Sequence, residues 1–153
     1  KKDYHRNDYG MFKGSSCVPV VNRPYPYGGY QLYDGGLSDP IPVEKAFSDG
    51  CDRVAVVLTR PRDEYLSAKF NIRMSRFIRR RYPASAELLA NRAKLYNRQL
   101  NLCKNYEREE KVLIIAPETI AGMKTLGRDH AAEERMYRRG YADAGVIKSW
   151  MEK

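Results

Sequence analysis

The residues best suited to chemistry are an aspartate and the two glycines that follow it. Asp34 stands at the end of a weakly alternating segment, residues 30–33, which predicts a short strand. Gly35 and Gly36 accept positive φ and carry no side chain, so they predict a turn with open access to the Asp34 carboxylate. Such a carboxylate can act as a general base toward a hydroxyl within hydrogen-bond reach. The alternative is a plain Asp-Gly turn without a chemical role, which is common.

A nucleophile to partner Asp34 is missing from the sequence. A serine activated in this way normally lies in a Gly-x-Ser-x-Gly elbow at a sharp strand-to-helix turn. The chain contains no such pattern. Three serines near the aspartate are interpreted as loop or turn residues: Ser15, Ser16 and Ser38. The sequence therefore predicts half of an active site.

The cysteines and histidines form no metal-binding or redox pattern. Cys17, Cys51 and Cys103 are far apart and include no Cys-x-x-Cys pair, so we expect a reducing compartment and three buried, apolar thiols. His5 is predicted to lie in a loop and His130 near a helix start, and they support neither a Ser-His-Asp triad nor a metal site. We expect no cofactor and no metal.

Composition indicates a globular domain. The 153 residues are 42% hydrophobic and 31% charged. No apolar run approaches the roughly 18 residues needed to span a bilayer, and the polar first residues show no secretory pattern. We expect a cytoplasmic protein, with peripheral contact to a membrane as a further option.

Positive charge is concentrated in one third of the chain. The net charge is +9, and residues 60–111 hold 14 Lys and Arg against 6 Asp and Glu. A basic region of this kind can meet nucleic acid, an anionic membrane surface or an acidic partner, whereas the simpler interpretation is the solvated side of two helices. The candidate contact residues are Arg73, Arg76, Arg79 and Arg80. Phe70, Met74 and Phe77 are predicted to form the opposite, apolar side, facing either a protein core or a membrane interface.

The order of apolar runs and amphipathic segments predicts an α/β fold. Turn formers dominate residues 1–30, which are predicted as loops. A continuous apolar run at 52–59 predicts a strand buried on both faces, as in a parallel sheet. A further strand is predicted near residues 111–116, and helices are predicted over residues 42–47, 63–81, 85–108 (N-cap Ser85), 130–139 (N-cap Asp129, C-cap Gly140) and 143–151. The apolar residues of the 85–108 helix are Leu88, Leu89, Leu95, Tyr96, Leu100, Leu102 and Cys103. The seven-residue spacing of Leu88, Leu95 and Leu102 indicates packing on the domain.

In its wider context the aspartate motif resembles the C-terminal half of the patatin-like phospholipase family. The resemblance rests on Tyr33-Asp34-Gly35-Gly36, on Asp39-Pro40-Ile41-Pro42-Val43 and on the strand and Arg-Pro pair of residues 54–61. Residues 15–20 are similar to the family's small-residue segment before the Asp strand. Residues 115–117 and 135–141 resemble the C-terminal extension of a bacterial branch.

The resemblance implies an esterase that uses a Ser–Asp dyad without histidine and acts on a phospholipid or another lipid ester. By motif match Asp34 activates the serine, with Gly35, Gly36 and Pro40 completing the motif and Asp39 either capping the next helix or supporting the site. The serine elbow and the glycine-rich oxyanion loop belong to the family's N-terminal half. We therefore expect these residues alone to be inactive and to expose an apolar sheet edge where that half would pack.

Two further expectations concern organisation and an alternative function. The resemblance implies that residues 1–62 are the C-terminal part of a three-layer α/β/α domain and that residues 63–153 are a mainly helical extension. The alternative is a non-enzymatic, basic binding module that contacts nucleic acid or another anionic partner through arginines interleaved with Tyr and Phe. No helix-turn-helix, RNP or zinc-finger pattern accompanies those arginines, and the esterase interpretation includes no nucleic acid.

Overall fold

A computed structural model of the chain describes residues 8–120, 123 and 129–152. They form a mixed α/β structure with two small sheets, in agreement with the predicted class. The helices are α1 (Gly10–Ser15), α2 (Val43–Ser48), α3 (Ala68–Ile78), α4 (Pro83–Arg108), α5 (His130–Asp143) and α6 (Val146–Met151), and the strands are β1 (Tyr25–Tyr27), β2 (Tyr30–Leu32), β3 (Val54–Val57) and β4 (Val112–Ile115).

The chain divides into two compact units, each built from separate segments. The first unit comprises the residues up to Ile41 together with Leu66–Asn97, and the second comprises Pro42–Tyr65 and the residues from Arg98 onward. The boundary at residue 62 that the resemblance implies stays a prediction. None of the described helices combines the length and the apolar character that crossing a membrane requires.

In the first unit, β1 and β2 form an antiparallel hairpin. The register pairs Tyr25 with Leu32 and Tyr27 with Tyr30. Gly28 and Gly29 make the two-residue turn with φ of +58° and +82°, the combination that a twisted hairpin prefers. The strand beginning at Tyr30 is confirmed, but the prediction of loops throughout residues 1–30 is wrong, because Pro26 and the glycines belong to the hairpin.

Helix α1, which the sequence did not predict, lies against this hairpin. A Cβ on Gly10 would collide with the Tyr27 ring and a Cβ on Gly14 with Leu32, so these buried glycines allow close approach of the helix backbone. Asp8 accepts hydrogen bonds from Tyr27 Oη and from the Gly10 amide, which holds the start of the helix on the hairpin. Glycine at four-residue spacing here serves packing instead of marking a loop.

Helices α3 and the first part of α4 complete the first unit. Leu37, Ile78, Ala86 and Leu89 form its buried cluster, with Tyr33, Met74 and Tyr82 packed against it. The predicted end of α3 before Pro83 is confirmed. Pro83 then opens α4, as proline commonly does in a first helical turn, so Ser85 lies within the helix and its prediction as N-cap is wrong.

The buried side of α3 differs from the prediction. Asn71, Ser75 and Ile78 are its buried residues, whereas Phe70 and Phe77 are 70% and 69% exposed. Met74 is half-buried, as expected of a residue beside that stripe. Phe70 and Phe77 therefore do not contribute to a core, since the helix is rotated so that two small polar residues and one isoleucine face α4.

The second unit contains the parallel pair β3 and β4. Val54 pairs with Val112 and Val57 with Ile115, which confirms the predicted parallel arrangement. Burial along β3 alternates, with Val56 buried and Val57 68% exposed. The prediction of a strand buried on both faces is wrong, because Ala55 and Val57 on one face of β3 are exposed.

Helix α4 buries four of its predicted apolar residues, Leu89, Tyr96, Leu100 and Cys103, but not the leucines at seven-residue spacing. Leu88 is exposed and Leu95 and Leu102 are half-buried. The buried residues recur every three or four positions: Ala86, Leu89, Ala93, Tyr96, Leu100 and Cys103. Cys103 is fully buried, and this burial raises the pKa of its thiol to about 11. The expectation that all three cysteines are buried is wrong for the exposed Cys51 and the half-buried Cys17.

The C-terminal helices follow their sequence signals in part. Asp129 is the N-cap of α5, as predicted, and its side chain accepts a hydrogen bond from the Ala132 amide at 3.0 Å. Gly140 lies inside α5, so the prediction that it ends this helix is wrong. The ring of Trp150 on α6 lies 3.8 Å from the Arg53 guanidinium carbon.

Candidate functional site

Asp34 begins a tight 3-10 turn over Gly35–Leu37 in the first unit. Its amide donates to the Cys17 carbonyl at 2.9 Å. Its Oδ1 accepts a hydrogen bond from the Gly36 amide at 2.8 Å, so the side chain caps the turn that it starts. Within the described part of the chain no donor contacts the second oxygen, Oδ2. The half-buried carboxylate is thus fixed by one oxygen and leaves the other available.

Of the two glycines, only Gly36 meets a spatial requirement, and neither meets a conformational one. Their φ angles lie outside the left-handed region, so the expected use of positive φ is wrong here. A Cβ on Gly36 would stand 3.2 Å from Asp34 Oδ1, closer than such atoms normally come. Glycine at this position lets the Asp34 side chain fold back onto the turn. A Cβ on Gly35 would lie 3.5 Å from Ser15 Oγ, an ordinary contact distance.

Arg92 on α4 holds the turn from the other side. Its Nε donates to the Gly36 carbonyl at 3.0 Å, and the Nη2 atom would lie 3.9 Å from a Cβ on Gly36. The guanidinium and the Asp34 carboxylate therefore flank the same glycine. Sequence reasoning missed Arg92, because it lies far from the motif along the chain and no local pattern sets it apart from the other basic residues of α4.

Packing beneath the turn anchors it to the buried cluster of the first unit. Leu37 is buried in that cluster, and the ring of Tyr33 meets the ring of Tyr82 edge-on at 5.7 Å between centroids. Burial raises the pKa of Tyr33, and the neighbouring Tyr82 and Cys17 add to the effect. Tyr33 therefore stays neutral at physiological pH. Since Tyr33 and Leu37 both pack in the cluster, the backbone on both sides of Asp34 is held in place.

The residues that follow the turn have structural contacts. The Ser38 hydroxyl donates to the Gly35 carbonyl at 3.2 Å, which agrees with its interpretation as a turn residue. The Asp39 amide donates to the same carbonyl at 3.0 Å. Helix α2 has Pro42 as its N-cap residue, so Asp39 does not occupy the cap position that the sequence suggested. Pro40 lies half-buried between these two residues.

The other candidate nucleophiles and bases lie apart from one another. Ser16 Oγ donates to the Phe12 carbonyl, and Ser15 ends α1. His130 is exposed and lies 3.3 Å from Glu133 on the same helix, while His5 lies outside the described residues. In the residues that the structure describes, no three His, Cys, Asp or Glu side chains are grouped to hold a metal ion.

The carboxyl ends of the parallel strands are lined by apolar side chains. A cavity of about 250 Å³ there is bordered by Val57, Leu58, Ile115, Pro117 and Met136, among others. Asp34 belongs instead to the turn after the antiparallel hairpin. The prediction that Asp34 follows a short strand is confirmed, because β2 ends at Leu32.

Comparisons with known proteins add one match. Residues 82–147 match the family described as a domain of unknown function (DUF6363). No curated protein and no solved structure matches the chain. The matched segment includes Arg92 and all of α4, β4 and α5, but it does not include Asp34, and its description assigns no activity.

Proposed function

We propose that the chain supplies the catalytic aspartate of a lipid acyl hydrolase with a Ser–Asp dyad and a patatin-like, three-layer fold. The observation that carries the proposal is the asymmetry of the Asp34 carboxylate. Oδ1 is held by the Gly36 amide at 2.8 Å, and Oδ2 has no donor among the described residues. A general base needs this combination of a fixed position and a free acceptor.

The serine must come from residues outside this sequence, since the chain has no Gly-x-Ser-x-Gly elbow. Asp34 Oδ2 would take the serine hydroxyl proton as the oxygen attacks the ester carbonyl carbon. The alcohol then leaves with a proton, and an acyl-serine remains. A water molecule attacks the acyl carbon next, Asp34 accepts its proton, and the acid is released while the serine regains its hydrogen. Each step uses only ester, serine, carboxylate and water.

The resemblance to patatin-like phospholipases supports a lipid ester as the substrate. The geometry of the turn supports a role for Gly35 and Gly36. Gly35 and Gly36 present only backbone beside Asp34, so a serine hydroxyl and an ester carbonyl can approach it without a side chain in the way. Arg92 helps to keep this approach open by binding the Gly36 carbonyl on the α4 side.

The test uses a longer polypeptide, expressed from the coding sequence of this chain together with the coding sequence upstream of it. Asp34→Asn should lower hydrolysis of a short-chain ester and of a phospholipid by about a hundred- to ten-thousandfold, since it removes a general base. The matched control is Asp52→Asn, a change at an exposed aspartate outside the motif, which should leave the rate within about twofold.

Circular dichroism and thermal unfolding establish that both variants fold. Hydrolysis by Asp34→Asn at close to the unmodified rate would overturn the assignment. So would ester hydrolysis by residues 1–153 alone at a rate that Asp34→Asn does not change, because the activity would then belong to other residues.

A further inference from the structure

The segment around α3 carries positive charge without any compensating acid. Residues 65–86 contain six Lys and Arg and no Asp or Glu. They are Lys69, Arg73, Arg76, Arg79, Arg80 and Arg81. Such an imbalance over one helix and its following turn produces a local positive potential, which attracts anionic groups.

The basic side chains of α3 are free of ion pairs. Some cations elsewhere in the described chain pair with carboxylates, as Arg98 does with Glu44 and Lys104 with Asp63. Among the same described residues, no carboxylate lies within ion-pair distance of Lys69, Arg73, Arg76, Arg79 or Arg80. These side chains therefore keep their charge available for an external partner.

Exposed apolar side chains lie on both sides of the row of cations formed by Lys69, Arg73 and Arg76 on α3. Phe70 and Phe77 are seven residues apart, two helical turns, and so lie on the same side of α3 beside Arg73. Ile72, which is 41% exposed, lies on the other side of Lys69 and Arg76. The outer surface of α3 thus has large apolar groups on both edges of a row of cations, while Asn71, Ser75 and Ile78 attach the helix to its own unit.

We propose that this outer surface of α3 binds an anionic lipid bilayer. Phosphate oxygens of the headgroup layer accept hydrogen bonds from the arginines, and their negative charge attracts the guanidinium groups. The Phe70 and Phe77 rings can enter the boundary between headgroups and acyl chains, as the apolar side of an interfacial helix does. Nucleic acid phosphates would also pair with the arginines. However, nucleic acid has no apolar layer that could receive Ile72 on one edge of the row of cations and Phe70 and Phe77 on the other.

The test measures partition of the chain into sedimented vesicles of phosphatidylcholine, with and without phosphatidylglycerol. Binding should require phosphatidylglycerol and fall with rising salt. Arg73→Gln with Arg76→Gln should reduce the partition coefficient about fivefold for each arginine. Phe70→Ala with Phe77→Ala should reduce it about tenfold for each ring.

Matched controls exist within the same unit. Lys13→Gln with Lys94→Gln removes the same charge from exposed positions outside α3. Phe12→Ala removes an equally exposed ring, since Phe12 is 70% exposed on α1. Both controls should bind vesicles within about twofold of the unmodified chain, because neither alters the α3 surface.

Three results would overturn the proposal. The first is equal loss of binding in test and control variants, since binding would then depend on net charge alone. A second is tighter binding to DNA or RNA than to vesicles at the same salt, with loss in the arginine variants. Self-association that the phenylalanine variants abolish would instead identify a second copy as the occupant. Vesicle binding involves no hydrolysis, so its failure and a failure of the Asp34 assignment are separate results.

Discussion

The two oxygens of the Asp34 carboxylate have different environments, and this difference defines the candidate site at the scale of single residues. The Gly36 amide holds Oδ1, and Arg92 holds the Gly36 carbonyl at 3.0 Å. A chain of two hydrogen bonds therefore connects α4 to the carboxylate. Because Tyr33 and Leu37 on either side of the turn pack in the buried cluster of the first unit, the orientation of Asp34 depends on few rotatable bonds.

Removing the Arg92 guanidinium should loosen the Asp34 turn. Arg92→Met leaves the Gly36 carbonyl without its charged donor, and we expect the free energy of unfolding to fall by about 1–2 kcal/mol. Urea denaturation of the chain measures this change. Lys94→Met, two positions along at an exposed site, should change it by less than about 0.5 kcal/mol. Equal effects of the two substitutions would show that the bond to Gly36 is not stabilising.

At the scale of elements, glycines serve different purposes in the hairpin, in α1 and in α5. Gly29 adopts a φ of +82°, which a side chain strains, although a Cβ there meets no atom within 4 Å. Gly140 also has open space around its Cβ position, but it lies inside α5 with helical geometry. Gly29 and Gly140 therefore differ in backbone conformation and not in the space around a Cβ atom, which is open at both positions.

Alanine at these two glycines should therefore have opposite effects. Gly140→Ala should raise the free energy of unfolding by about 1 kcal/mol, because alanine loses less backbone entropy in a helix. Gly29→Ala should lower it by about 1 kcal/mol, because positive φ is unfavourable for an L-residue with a Cβ. Thermal unfolding followed by circular dichroism compares the two. A destabilised Gly140→Ala would mean that α5 does not continue through this residue in solution.

The strands and helices themselves follow local patterns, which is why most of them can be predicted from sequence. The apolar runs at β3 and β4, the aspartate before α5 and the proline after α3 act within a few residues. Strand β1 and α1 escaped prediction because Gly10, Gly14 and Pro26 resemble loop residues until the contacts of the two glycines with Tyr27 and Leu32 are known.

For the molecule as a whole, one strand of the parallel pair, β3, has an exposed side, although Ile115, the partner of Val57 on β4, is buried. Parallel sheets are normally covered on both faces, yet Val57 of β3 is 68% exposed and β3 pairs only with β4 among the described strands. The exposed apolar sheet edge that the resemblance implies stays a prediction. An exposed apolar strand edge promotes association with other chains.

A charge on this sheet face should keep the chain monomeric. Val57→Lys should lower self-association, measured by light scattering over a concentration series, with little change in thermal stability because the residue is already exposed. Val21→Lys places the same charge at a comparably exposed loop valine and should not have this effect. Equal scattering from both variants would mean that charge, and not the β3 face, controls association.

The sequence by itself determined the α/β class, the positions of most helices and strands, the placement of β3 in a parallel sheet and the turn at Asp34. These depend on periodicity, apolar runs and turn chemistry, which act over a few neighbouring residues. Tertiary structure decided which side of α3 is buried, so that Phe70 and Phe77 face outward. It also decided that Arg92 contacts Gly36, which is 56 residues away along the chain. Such contacts depend on how helices pack, and packing is settled by the fit of many side chains at once, which no local pattern records.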